Sequence, residues 1–350
     1  MNRSTFGLIF GGIFTALCTA SFAATPLGGL AVALSPAEDV MVAGGDNRAL
    51  LIVDTAKMEV TNRAWLGVSI TDLQFNKDGS QLLVQDTDGT IHQVDAKKWE
   101  VAKSEKKADQ MSVSREADLV AALDADYAGQ VVKILSASDL SPKGKVTLEK
   151  GQKVVALGLN ASGTRLAVLL DAVTDATEPK ATETPKDLKD LAADEFKLKN
   201  DGKTSQFMVF EVPEGKKIVD KKLYYSPSSS GAKIFFSGDN ALLVNYSNLN
   251  ATVTPEGEVT LFKFENSYNY GIGASPDQSI ILTGGLSNGS YTKVEGMNQT
   301  TFTSDKLPTW PEYFKSFAVA KDGTAYGATS SFRVARIKSN GSFDKAFPLY

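Results

Sequence analysis

The feature that most constrains this chain is a polar turn that returns about every 40 residues, each time after a short apolar strand. It occurs at Ser35-Pro36, Asn76 to Gly79, Ser114-Arg115, Asn160 to Gly163, Ser237 to Asn240, Ser275-Pro276-Asp277 and Ala320 to Gly323. The first residues of these turns lie 41, 38, 46, 77, 38 and 45 positions apart, so one step is about twice the others. Ser, Asn and Asp suit such turns because their short side chains bond nearby backbone, and Gly accepts positive φ. The most legible copy runs from Ile70 to Val101: four apolar runs are separated by NKDG, DTDG and the turn in VDAKKW. That is one antiparallel four-stranded unit.

Each turn follows an apolar strand of small or β-branched residues, such as LAVAL before Ser35, VVALGL before Asn160, YGIGA before Ser275 and FAVA before Lys321. Such residues suit the innermost strand of a blade, where a narrowing channel excludes bulk. Second strands follow as DVMVAGG, QLLVQ, LVAAL, RLAVLL, ALLVNY, SIILTGG and TAYGAT, and third strands include ALLIVD, TIHQVD, VVKILSA and TVTPEG. Four strands per unit and a period near 40 predict an all-β chain, a seven-bladed β-propeller of four-stranded antiparallel blades.

The third strands end in Val53-Asp54 and Val94-Asp95, as the Trp-Asp dipeptide ends a WD repeat with Val in place of Trp. Over nearly its whole mature length the chain resembles the WD-repeat and YVTN-like seven-bladed propellers. The Gly-His and Trp-Asp signatures are absent, so the resemblance implies the fold and no cytosolic scaffolding role. Because each repeat is complete and FDKAFPL supplies a last outer strand, the ring is expected to close without a strand shared between the chain ends.

The first residues read as a secretory signal peptide over 1–23: Arg3 precedes an apolar, Gly-broken run from Phe6 to Leu17, and Ser21-Phe22-Ala23 forms a small-residue cleavage site. The run is too short for the roughly 20 apolar residues of a membrane span. The mature domain, 24–350, then loses the only cysteine, Cys18, and its charge is 36 − 41 = −5. An exported, mildly acidic, disulfide-free chain fits a bacterial periplasm or secretion, and its charge argues against nucleic acid as a partner. Sequons at Asn160, Asn245, Asn250, Asn288, Asn298 and Asn340 would matter only in a eukaryotic secretory route.

The doubled step reflects an insertion at about 172–204, between the second and third strands of the fourth unit. Its front half, rich in Pro, Thr, Lys and acids, reads as a polar loop. Asp187 to Leu198 spaces Leu188, Leu191 and Phe196 as a short amphipathic helix would. Both a solvated excrescence and a partner-binding lid are open readings.

Antiparallel order puts two kinds of connection on one face of each blade: the loop from strand two to three, and the link from strand four to the next unit. There the acidic loops carry Asp46, Asp86, Asp88, Asp124, Asp126, Asp171 and Asp175, followed by Tyr246, Ser247, Asn248, Asn250, Ser287 and Asn288, then Ser330 and Ser331. Asp86, Asp88, Asp124 and Asp126 are candidate ligands for calcium or another hard cation. Ordinary hairpin chemistry explains the same residues, so no cofactor is required. The linking segments carry Trp65, Tyr224, Tyr225, Tyr268, Tyr270, Trp310, Tyr313 and Phe314, and aromatics of this kind favour recognition surfaces. Packing between blades is the alternative for each.

The single histidine, His92, lies mid-strand and reads as a packed or hydrogen-bonded core residue, not a triad member. Asp72 is the one carboxylate placed within an innermost strand. These residues point to a non-catalytic binding or scaffold protein that engages a protein or glycan partner through its aromatic face, without spanning a membrane. The alternatives are a cation-dependent periplasmic hydrolase or lactonase, and a propeller subunit of a periplasmic redox enzyme.

Overall fold

The computed structural model describes residues 30–124, 130–149, 153–174, 190–227, 232–246, 249–264, 269–285, 290–296, 298–302 and 312–348. The expected leader, 1–23, lies outside them. Consecutive antiparallel strands form the sheets. The first contains Leu30–Leu34, Val40–Gly45, Ala49–Asp54 and Glu59–Trp65, and the second Ile70–Phe75, Gln81–Asp86, Thr90–Asp95 and Glu100–Lys106. Met111–Ser114, Leu119–Asp124, Val131–Ser136 and Pro142–Thr147 make the third. Val154–Leu159, Arg165–Leu170, Lys203–Glu211 and Lys216–Leu223 make the fourth, to which Val173–Thr174 adds a two-residue pairing. Ala232–Ser237, Asn240–Asn245, Leu249–Val253 and Val259–Lys263 make the fifth. An eight-stranded sheet completes the ring. Its N-terminal half is Gly271–Ala274, Ile280–Gly284, Tyr291–Glu295 and Asn298–Phe302, and its C-terminal half is Phe314–Val319, Ala325–Thr329, Arg333–Ile337 and Phe343–Pro348.

The halves of that sheet meet through their innermost strands at one parallel pair, Ile272 with Ser316. Glycine explains the close approach. A Cβ on Gly271 would lie 2.7 Å from the Phe314 carbonyl oxygen, and one on Gly273 would run into the Phe317 backbone. The YGIGA sequence therefore marks where two innermost strands come near enough to bond.

Burial falls from the ring axis outward. Leu30–Leu34 is buried throughout, whereas Glu59–Trp65 and Glu100–Lys106 are largely exposed, which accounts for apolar inner strands and charged outer ones. Apolar clusters sit between adjacent sheets, where each buries the face of its neighbour. The chain ends meet in the same way. Leu30, Val32 and Met41 of the first sheet pack with Ala318, Tyr326 and Val334 of the C-terminal half, and Arg336 Nη1 donates to the Thr55 carbonyl at 2.8 Å. No strand is exchanged between the chain ends among the described residues.

The recurrent turn has a physical basis. Its first residue accepts the backbone N–H five positions on: Ser35 Oγ from Val40 at 3.1 Å, Asn76 Oδ1 from Gln81 at 3.0 Å, Asn160 Oδ1 from Arg165 at 2.9 Å and Ser275 Oγ from Ile280 at 3.0 Å. The Val-Asp ends cap the next turn. Asp54 accepts from the Lys57 amide at 2.8 Å, and Asp95 from those of Lys97 and Lys98 at 2.8 and 2.9 Å.

Two boundaries differ from the sequence reading. The third strand of the fifth sheet is Leu249–Val253, so Thr254 to Gly257 form the turn after it and Asn250 lies in the strand instead of the loop. The insertion's helix is Asp190–Asn200 among the described residues, ending two residues beyond the expected Leu198; Leu198 is buried, Leu191 and Phe196 are half-buried, and 187–189, with Leu188, lie outside the described residues. The helix packs beside Lys203–Glu211 and reaches the next sheet, where Asp194 pairs with Lys263.

Candidate functional site at the channel mouth

Trp65 ends an outermost strand, Tyr224 follows another, and Tyr270 and Tyr313 each immediately precede an innermost strand, so all four lie on the face carrying the linking segments. Trp65 is 73% exposed. Tyr224 is half-buried, with the Lys199 ammonium 5.9 Å from its ring centre. The rings of Tyr270 and Tyr313 stand 5.3 Å apart. Two other expected aromatics belong to the core. Tyr225 is fully buried, its hydroxyl donates to the Leu249 carbonyl at 3.0 Å, and burial pushes its phenol well above the usual range. Phe314 is buried 4.8 Å from Phe317 and 6.1 Å from both Tyr291 and Phe343, in space left by Gly284 and Gly327. Tyr268 and Trp310 lie outside the described residues.

Between Tyr270 and Tyr313 sits a lysine that residue patterns did not single out. The Lys315 ammonium lies 4.7 Å from the Tyr313 ring centre and 5.6 Å from that of Tyr270. A bulge positions it: Phe314 pairs with Thr329 and Ser316 with Ala328, leaving Lys315 without a cross-strand partner. Burial holds its pKa below the ordinary lysine value, and among the described residues no carboxylate lies within ion-pair distance of it. The nearest acid in sequence, Glu312, is already taken: Thr329 Oγ1 donates to it at 2.8 Å and Arg333 pairs with its other oxygen.

Lys315 is the second residue of its innermost strand, and Lys233 holds the same place in Ala232–Ser237. Lys233 lines the central cavity, keeps 35% of its side chain open to it, and lies 3.8 Å from Asp72. Burial works against the charge on Lys233, but the Asp72 carboxylate, with a smaller contribution from Tyr246, outweighs it and raises the pKa. Burial also raises the Tyr246 phenol.

The cavity, about 170 Å³, is lined by residues of every innermost strand, including Thr71, Ser112, Val155 and Ser316. Two side chains strap its far end. Arg115 Nη2 donates to the Leu34 carbonyl at 2.8 Å, and Gln278 Nε2 donates to the Leu159 carbonyl at 2.8 Å while its Oε1 accepts from the Phe236 amide at 2.7 Å. Both belong to turns between first and second strands, the end opposite the aromatic face. Their only sequence signal was position in the recurrent turn.

The acidic loops are wired internally. Asp86 is buried, and its Oδ1 accepts the amides of Asp88 and Thr90 at 2.9 and 2.8 Å. Its Oδ2 meets His92 Nε2 at 2.8 Å, and His92 Nδ1 lies 3.0 Å from Ser104 Oγ, so the histidine is hydrogen-bonded as expected, though partly exposed. Burial pushes the Asp86 pKa up, but His92 and the two amides together bring it below the usual value. Asp124 lies 3.7 Å from Lys133, which also binds Glu105 at 2.7 Å. Asp88 is exposed, and Asp126 and Asp175 lie outside the described residues. Among the described residues no three His, Cys, Asp or Glu side chains gather as metal ligands do.

No family model matches the chain, and no curated protein matches it. Its structure is similar to the β-propeller domain of Cps50 (Swd1) from Myceliophteria thermophila, with a TM-score of 0.58 at 12% identity over 90% of this chain and 94% of that one. At that identity the likeness shows the fold, a β-propeller.

Proposed function

We propose that this protein is an exported, non-catalytic binding module that recognises a protein partner through the face bearing Trp65, Tyr270 and Tyr313. Counting the two halves of the eight-stranded sheet separately, we take the ring to have seven blades. The observation that carries the reading is the exposure of Trp65, a large apolar side chain 73% open to solvent on the same face as the Tyr270–Tyr313 pair. Aromatic groups of this kind supply much of the energy at protein interfaces, because they offer large contact area at small entropic cost. A β-propeller presents such a face rigidly, since its loops hang on packed sheets.

Photocrosslinking tests the face. A crosslinking residue placed at Trp65 or Tyr313 should capture a discrete protein partner in the native host, whereas one at Lys57, on the other side of the sheets, should not. Equal capture from both sides, or none from either, overturns the proposal. Export is tested separately: sequencing of the mature N-terminus should begin at Ala24, and the protein should fractionate outside the cytoplasm.

A further inference from the structure

The geometry points to a carboxylate-binding site at the channel mouth, where Lys315, set between Tyr270 and Tyr313, receives an acidic side chain of the partner. Three observations converge on it. The Lys315 ammonium is half-buried between two phenol rings, yet among the described residues it has no carboxylate of its own, while Glu312 nearby is satisfied by Arg333 and Thr329. A cation kept partly from water without an anion gains more from an incoming carboxylate than a solvated surface lysine does. Lys233 stands at the matching strand position and lines the cavity, with Asp72 at the long end of ion-pair range, so a second lysine lies at the same level of an innermost strand. The cavity of about 170 Å³ has room for one side chain, and Arg115 and Gln278 strap the opposite end, so entry comes from the aromatic face. The local positive character stands against a chain whose formal net charge is −4.

This inference rests on the reading of that face as the recognition surface, and its test is independent of any partner. The probe is a triglutamate peptide blocked at both ends, compared with blocked triglutamine, titrated into the mature protein carrying 13Cε-labelled lysine. Triglutamate should shift the Lys315 resonance saturably, triglutamine should not, and high salt should weaken the effect. Lys315→Met should weaken binding at least tenfold, and Lys315→Arg should retain part of it, with the melting temperature confirming that both variants fold. Equal response to the two peptides, or unchanged affinity in Lys315→Met, overturns the carboxylate site. If crosslinks form at Trp65 while triglutamate fails to bind, this inference alone falls; if triglutamate binds and no partner crosslinks, the recognition-face reading falls instead.

Discussion

The guanidinium of Arg115, on the third sheet, donates to the main-chain carbonyl of Leu34, on the first, at 2.8 Å. The side chain passes the intervening second sheet and straps the far end of the channel. Burial lowers its pKa to about 10, against the opposing pull of Glu38, so it stays charged at neutral pH. Arg115→Met removes the donor and leaves the Leu34 carbonyl without a partner, which should cost about 1–3 kcal/mol. Urea denaturation would measure it. An unchanged midpoint would show that water replaces the bond and that the strap is dispensable.

Asp86 should make stability sensitive to acid. Its folded pKa lies below its unfolded one, so its contribution is present above the unfolded value, near 3.8, and is lost as pH falls through the folded pKa. Asp86→Asn should therefore flatten the decline in stability below about pH 4. At neutral pH it should cost about 1–3 kcal/mol, because a buried charged acceptor of three hydrogen bonds is replaced. Thermal melts across pH 2.5 to 7 (the range of the experiment, about 4.5 units) would decide; parallel curves for both proteins would refute the linkage.

Neighbouring aromatics should respond in opposite ways. Phe314→Ala empties a buried site and should cost about 3–5 kcal/mol, whereas Tyr313→Ala, at the rim, should cost less than about 1 kcal/mol. Only the second should weaken recognition without weakening the fold. Similar losses of stability for the two would place Tyr313 in the core.

Gly273→Ala should push the innermost strands of the eight-stranded sheet apart, since its Cβ would collide with the Phe317 backbone. The expected cost is about 1–3 kcal/mol or more. Faster hydrogen exchange at Ile272 and Ser316 would locate the damage. Protection equal to wild type at both residues would mean the strands adjust without opening.

Much of the fold was legible because its signals are local. A Ser or Asn that caps a hairpin acts within five residues, as Asn76 does on Gln81, so the turn recurs in the sequence wherever it recurs in space. The inserted helix was legible from its apolar spacing, but it runs to Asn200, two residues past the expected Leu198, because helix ends depend on local capping and packing more than on apolar spacing.

The site was less legible. Tyr224 and Tyr225 are adjacent in sequence, yet one borders Lys199 and the other is sealed in the core, because alternation along an extended segment sends neighbours to opposite sides. No local rule marks Lys315, whose place depends on a bulge and on rings from two linking segments.

The sequence by itself determined the four-stranded repeat, the hairpin turns, the apolar inner strands and the polar outer ones, because these depend on side-chain periodicity and short-range hydrogen bonds. Only the tertiary structure decided which aromatics face solvent, that Lys315 meets the ring of Tyr270, and that Arg115 and Gln278 strap the far end of a cavity lined by Lys233. Those relations join residues tens to hundreds of positions apart, and only closing the sheets into a ring brings such residues within bonding distance.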